Sequence, residues 1–221
     1  MKLNKPVLPQ APETADDLPA LLSAVREDET DITERLIAEA SLTEKELDGL
    51  CFRSSRLENC RFVGCSFHRA AFLDVVFEGC DLSNSDFDSA FFQRCRFHNC
   101  KGVGALLARA RLFHIAVEDC DFRYSVWDTA QLRRVCFTGG TLDKSSFGDC
   151  AFDPVEFHEA SLIGAGFLRT SLDGVRLTTC QIAGLQAAGP ELKGAIVTAY
   201  QAAELARLLG VVIQDPESPG E

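Results

Sequence analysis

The chain has 221 residues with 33 acidic and 22 basic side chains, for a formal net charge of −11. That length suits one domain with short appendages, and the sequence holds no apolar run of about 18 residues that could span a membrane. Residues 1–13 lack the apolar stretch of a signal peptide, so the protein is read as cytoplasmic; its ten cysteines then do not read as the disulfide framework of a small secreted domain.

In chain order, residues 1–15 carry Pro6, Pro9 and Pro12 and are expected to form a disordered arm. Residues 16–29 read as a short helix, with Asp17 as an acidic N-cap and Pro19 in the first turn. Residues 30–49 are ambiguous. Ile32, Ile37, Leu42 and Leu47 continue the fivefold spacing described next. Arg35 and Lys45 fall where small inward residues belong, which argues for irregular or helical structure.

From Phe52 to Val197, thirty positions counted in steps of five hold fourteen Phe, ten Leu, two Val and one each of Ile, Trp, Ala and Gly. Neither a helix nor a strand period gives this pattern, and no insertion breaks it. Two places earlier the residue is small or apolar, as at Cys60, Cys65, Ala70, Val75 and Cys80. With Gly49 after Leu47 included, ten of the sixteen glycines stand two places later, among them Gly64, Gly79 and Gly164, which reads as a recurring tight turn. Sorted at a spacing of twenty, the small residues fall into columns of uniform character: Cys60, Cys80, Cys100 and Cys120 in one, Ala70, Ala90, Ala110 and Ala130 in another. The spacing predicts four five-residue edges per coil, with equivalent residues stacked about 4.8 Å apart and Phe77 lying over Phe97. Gly102, alone at a large inward position, is expected to leave the core thin there, with Leu106 or Val103 moving in, or to mark a hinge or bulge.

The units Cys80-Asp81-Leu82-Ser83-Asn84 and Ser85-Asp86-Phe87-Asp88-Ser89 resemble the A-(D/N)-L-x-x consensus of pentapeptide-repeat proteins. The resemblance covers about two thirds of the chain, and the β-helix is expected over residues 30–198, with the ambiguous 30–49 as its first part. It implies an all-β solenoid, a right-handed quadrilateral β-helix of about twenty residues per coil, with helical caps. One fold hosts many roles, so it says little about function.

Beyond the repeat, residues 199–221 are expected to form a helix ending at Gly210, a strand at Val211, Val212 and Ile213, and a disordered tail. The stretch Tyr200-Gln201-Ala202 with Leu208-Leu209-Gly210-Val211 resembles the C-terminal helix of quinolone-resistance pentapeptide proteins. That likeness implies a homodimer, with Tyr200, Leu205, Leu208, Leu209 and Val212 as the candidate cap and dimer surface; a plain cap is the other reading.

Reactive chemistry is sparse. The cysteine ladder has disulfide-compatible spacing, but its side chains should run parallel to one another, and a straight ladder cannot converge on a tetrahedral zinc. Cys51 and Cys136 lie off the inward class and are expected to be exposed. His68, His98, His114 and His158 all face outward or lie at corners, and no two of them come together. The sequence shows no phosphate loop and no nucleophile motif. No catalytic residue, cofactor or metal is assigned.

Some members of the family bind DNA gyrase as acidic mimics of duplex DNA. Here residues 1–51 hold twelve acids and five bases, whereas the body, 52–198, holds seventeen and sixteen. The side bearing Glu58, Glu78, Glu118, Asp119, Glu156 and Glu159 is net −3, and the side bearing Arg53, Arg94, Arg111, Arg133, Arg134 and Lys193 is net +2. A DNA mimic should be densely negative along its length. The first expectation is therefore a non-catalytic scaffold that binds an unknown protein partner, with Arg94, Arg111, Arg133 and Arg134 as the candidate face. The alternative is a gyrase- or topoisomerase-binding protein. Membrane association and direct nucleic-acid binding are not expected.

Overall fold

The structure, a computed structural model, describes residues 1–214. Residues twenty apart pair in parallel through the body: Phe52 with Phe72, Phe77 with Phe97, Phe137 with Phe157. On two adjacent sides the pairing forms strands. Along Arg111–Glu118, Gln131–Thr138 and Ala151–His158 one strand turns the corner between those sides. On the other two sides, apart from the pair Ser41–Thr43 with Arg61–Val63, the contacts are single bridges, such as Asp81 with Lys101 and Asp86 with Leu106. The result is a four-sided parallel β-solenoid.

The period follows from two requirements of each five-residue edge. The large apolar residue and the small one two places earlier both point to the axis, where most are buried; Phe152 and, in the last coil, Ala187, Leu192 and Val197 are partly open. Two places past the large residue the backbone enters the left-handed region: φ is 51° at Asn59, 63° at Gly79 and 69° at Gly104. A residue with a Cβ is disfavoured there by roughly 1–2 kcal/mol, which is why Gly, Asn and Asp recur at the corners.

Stacking in register places like rings over like. Phe77 and Phe97 lie 4.5 Å apart and nearly parallel, with 3° between ring planes, and Phe67 and Phe87 lie 4.8 Å apart at 2°. Inward polar groups are hydrogen-bonded. Ser85 Oγ donates to Phe62 O at 2.6 Å, and Trp127 Nε1 donates to Ser125 Oγ at 2.7 Å. The ladder cysteines are buried free thiols; those of Cys60, Cys80 and Cys100 donate to carbonyls of the preceding coil, as Cys80 Sγ does to Leu57 O at 3.3 Å, and that of Cys120 donates to Glu118 O. Burial pushes the Cys95 and Cys150 thiols up to about 12. Only Cys51 and Cys136 are half-exposed. Alkylation of native protein should therefore modify these two quickly and the remaining eight only on unfolding, which mass spectrometry of briefly treated protein would show.

Several expectations are corrected. Residues 30–49 are neither helical nor irregular. Ile32–Thr33, Arg35–Ala38 and Ser41–Thr43 are strands paired with the next coil. As the first coil it has no neighbour below, so Lys45 is exposed and Arg35 turns to an ion pair with Glu13. The arm is not disordered. Glu13–Thr14 adds a strand to Arg35–Ala38, and the preceding residues lie along the rod. Gly102 leaves no void to be filled by Leu106, which is exposed, or by Val103. The ring of Phe122, from the next coil, lies directly over it.

The ends are closed by helices. Helix α1, Leu18–Glu27, is capped by the Asp17 carboxylate, which accepts from Ala20 N at 3.0 Å, and it buries Leu18, Leu22 and Val25. Helix α2, Ala199–Leu208, ends two residues before Gly210. The strand expected at Val211, Val212 and Ile213 does not form, because α2 already covers the last coil and no edge is offered to it. The tail expected over residues 215–221 lies outside the described residues.

Candidate interaction surface

The candidate face is built by the strands Cys51–Arg53, Ala71–Leu73, Phe91–Gln93 and the first halves of the three long strands. Alternation along a strand sends every second side chain outward. Arg111 and Arg133 therefore project from this side, while Arg134 and Arg94 occupy its corner, two coils apart. Arg111, Arg133 and Arg134 are exposed. The Arg111 guanidinium lies 5.2 Å from the centre of the Phe91 ring, and Phe91 and Phe113 pack 5.7 Å apart. These are the two phenylalanines outside the inward class. They form a half-buried aromatic platform beneath a cation, a feature that the count in fives passed over. Arg133 Nε is 3.4 Å from Asp153.

Arg94 differs from the other three. Its guanidinium grips Asp74 with two hydrogen bonds of 2.6 Å, and the Asp74 carboxylate also accepts from Val7 N at 3.0 Å. Burial pushes the Asp74 carboxyl up, but the Arg94 and Val7 hydrogen bonds and the Arg94 charge outweigh it and hold it below its usual value. Farther along the same corner, Asn4 N donates to His114 Nδ1 at 3.2 Å, and the Met1 amine reaches Glu156, on the adjoining side, at 2.7 Å. The arm thus runs down the corner beside the basic face, against the direction of coiling. It occupies the corner holding Arg94 and His114 and leaves Arg111, Arg133 and Arg134 open.

Acid should loosen this strap. Burial, and then the charges of Arg134, Arg133 and Arg94, hold His114 below its usual 6.5. Its neutral ring accepts the Asn4 amide, and protonation would set a donor against a donor. A histidine held neutral contributes stability above its unfolded pKa that is lost as pH falls through the folded value. The depressed Asp74 carboxyl acts in the same sense below its usual 3.8. Hydrogen exchange in residues 1–8, corrected for intrinsic rates, is expected to be several-fold faster at about pH 5 than at about pH 7.5. Equal protection at both would refute this role for His114.

At the opposite end of the rod, the candidate dimer residues divide. Leu205 is buried against the last coil, whereas Tyr200, Leu208, Leu209 and Val212 are exposed, Val212 to 85%. Among the titratable groups on the neighbouring side, Cys136, Glu156 and His158 stand together, although no pair of histidines meets.

Two family models match the sequence: a pentapeptide repeat region over residues 70–147 and an eight-copy pentapeptide repeat over residues 51–88. The chain belongs to the pentapeptide-repeat family. Several solved structures are similar to the chain. A trypsin-treated form of QnrB1, a plasmid-mediated fluoroquinolone resistance protein, is 20% identical with a TM-score of 0.46, covering 81% of this chain and all of that one. HetL, a pentapeptide repeat protein involved in heterocyst differentiation regulation in the cyanobacterium Nostoc sp. strain PCC 7120, is 18% identical with a TM-score of 0.27, covering 83% and 98%. A pentapeptide repeat protein of the Arabidopsis thaliana thylakoid lumen is 23% identical with a TM-score of 0.35, covering 48% and 66%. No curated protein matches the sequence. Among the described residues no helix is long and apolar enough to cross a membrane.

Proposed function

We propose that this pentapeptide-repeat protein is a non-catalytic, cytoplasmic scaffold that binds a protein partner through the side bearing Arg111, Arg133 and Arg134. The observation that carries the reading is the exposed arginine group around the Phe91–Phe113 platform. Arginine and aromatic side chains dominate the energetics of protein interfaces, and a flat rigid side loses little conformational entropy on docking. A homodimer through the end of the rod completes the reading, supported by the exposed Tyr200, Leu208, Leu209 and Val212. Binding to gyrase as a DNA mimic is the second reading; the exposed arginines count against it, because a duplex mimic needs a continuous acidic surface.

The test compares proteins captured by the native chain with those captured by an Arg111→Glu/Arg133→Glu/Arg134→Glu variant and by a Glu159→Lys control on the adjacent side. The partner should be lost with the first and kept with the second. The same partners on all three would sink the assignment of this face. A gyrase supercoiling assay decides the second reading, and sedimentation of native chain beside Leu208→Glu decides the dimer.

A further inference from the structure

Along the side next to the basic face, outward residues lie in a ladder of neighbouring pairs. In earlier coils the ladder is neutralised by guanidinium groups: Arg56 pairs with Glu58 at 2.8 Å, and Arg96 with Glu118 at 2.6 Å. At the coils of Gln131–Thr138 and Ala151–His158 the pattern changes. The register sets Cys136 opposite Glu156 and Thr138 opposite His158. Three of the four outward positions in this square are metal-ligand types, and neither coil supplies an arginine there.

We propose that Cys136, Glu156 and His158 form a binding site for a borderline-soft divalent transition-metal ion, of which Zn²⁺ is the representative. The candidate donor atoms all lie within 4.8 Å of one another. His158 Nε2 is already 3.1 Å from Glu156 Oε2. Bond lengths to tetrahedral zinc place its donors about 3.3–3.8 Å apart, so a side-chain rotation of Cys136 closes the site without moving the backbone. The backbone is fixed by ladder pairing on both strands. A thiolate, an imidazole and one carboxylate select zinc-like ions over Mg²⁺ and Ca²⁺, which take oxygen ligands. All three residues are partly open to solvent, which gives an ion its entry path. The fourth position falls to water, with the Thr138 hydroxyl beside it, 3.5 Å from Cys136 Sγ. The other oxygen of Glu156, Oε1, keeps its contact with the Met1 amine. Binding converts the Cys136 thiol to a thiolate and releases its proton to solvent.

No spacing between histidines marks this site in the sequence. Sorting the outward residues at a spacing of twenty sets Cys136 beside Glu156, and His158 follows two residues on.

The test is titration of the full-length, reduced protein with Co²⁺ alone. One equivalent should give a thiolate-to-cobalt charge-transfer band in the near ultraviolet that Zn²⁺ abolishes. Cys136→Ser should remove the band. His158→Ala and Glu156→Gln should each weaken binding at least about tenfold, and Cys51→Ser should leave it unchanged. A second measurement needs no variant: Zn²⁺ should protect Cys136, and not Cys51, from alkylation in the native chain. Absence of the band in the native chain, its survival in Cys136→Ser, or equal alkylation of Cys136 with and without Zn²⁺ would overturn the proposal.

Discussion

Replacing Gly102 with leucine, the residue that its column favours, is expected to destabilise the protein by about 1–3 kcal/mol, as overpacking of a filled core does. At every other coil the large inward position holds a side chain. At Gly102 the Phe122 ring from the following coil fills the space that a side chain would need. The Phe122 ring also meets Phe97, on the neighbouring edge, edge to face at 84°. A methyl group on Gly102 would stand 2.5 Å from Phe122 Cδ1 and 3.0 Å from Cζ, and a leucine would demand more room still. Phe122 cannot simply withdraw, because its edge is packed against Trp127, 5.7 Å between centroids. The decisive measurement is a double-mutant cycle in chemical denaturation. Phe122→Leu alone should destabilise by leaving a cavity, and combining it with Gly102→Leu should recover part of the loss, giving a coupling of about 0.5–3 kcal/mol. Additive effects would mean that the two residues do not share the space.

The Gly102 case marks where the sequence was legible and where it was not. The coil was legible because a fixed period of five, repeated without interruption, has one geometric solution, and every inward column reports on it independently. The partner of Gly102 was not, because a missing side chain in a column does not say which neighbour takes its space, and only the contact with Phe122 does. The arm was hidden for a different reason. It is held by backbone N–H groups of Asn4 and Val7 on His114 and Asp74, and such contacts leave no periodicity in the arm and no mark in composition. Proline there fixes an extended path without an internal hydrogen-bond ladder, which reads the same whether the segment is free or laid on a surface. The candidate face was partly legible. Charge sorted by side found Arg111, Arg133 and Arg134, but it could not separate them from Arg94, whose partner Asp74 sits twenty residues earlier on the same corner. At the far end, the β-branched run at Val211–Ile213 suggested a strand, yet strand formation needs an unpaired edge, and the capping helix had already taken it.

That capping helix rests on one side chain, Gln201, and removing its amide should open the C-terminal end of the rod. The last coil has no following coil to supply donors. Gln201 Nε2 takes that place, donating to Leu177 O at 2.8 Å and Cys180 O at 2.9 Å. Its Oε1 simultaneously accepts from Thr198 N at 2.9 Å, while Thr198 Oγ1 accepts from Gln201 N at 3.2 Å, closing a capping box. Gln201→Leu keeps the volume but strands the Cys180 carbonyl and the Thr198 amide and leaves Leu177 O with the Cys180 N–H as its one donor, a loss of roughly 2–5 kcal/mol from the affected groups taken together. Hydrogen exchange should rise first in α2 and the last coil, because each coil is stabilised chiefly by its neighbours. Gln201→Glu separates the two halves of the amide. Its carboxylate can still accept from Thr198 N but faces the two carbonyl oxygens without a proton. Burial and that repulsion raise the folded-state pKa of the introduced acid, so its share of stability is present below its unfolded value of about 4.3 and is lost as pH rises through the folded value. The native chain and the Gln201→Glu variant should therefore converge in stability toward acid and separate toward neutral pH. A difference that is independent of pH would show that the side chain turns out to solvent and that the helix is held by Leu205 alone.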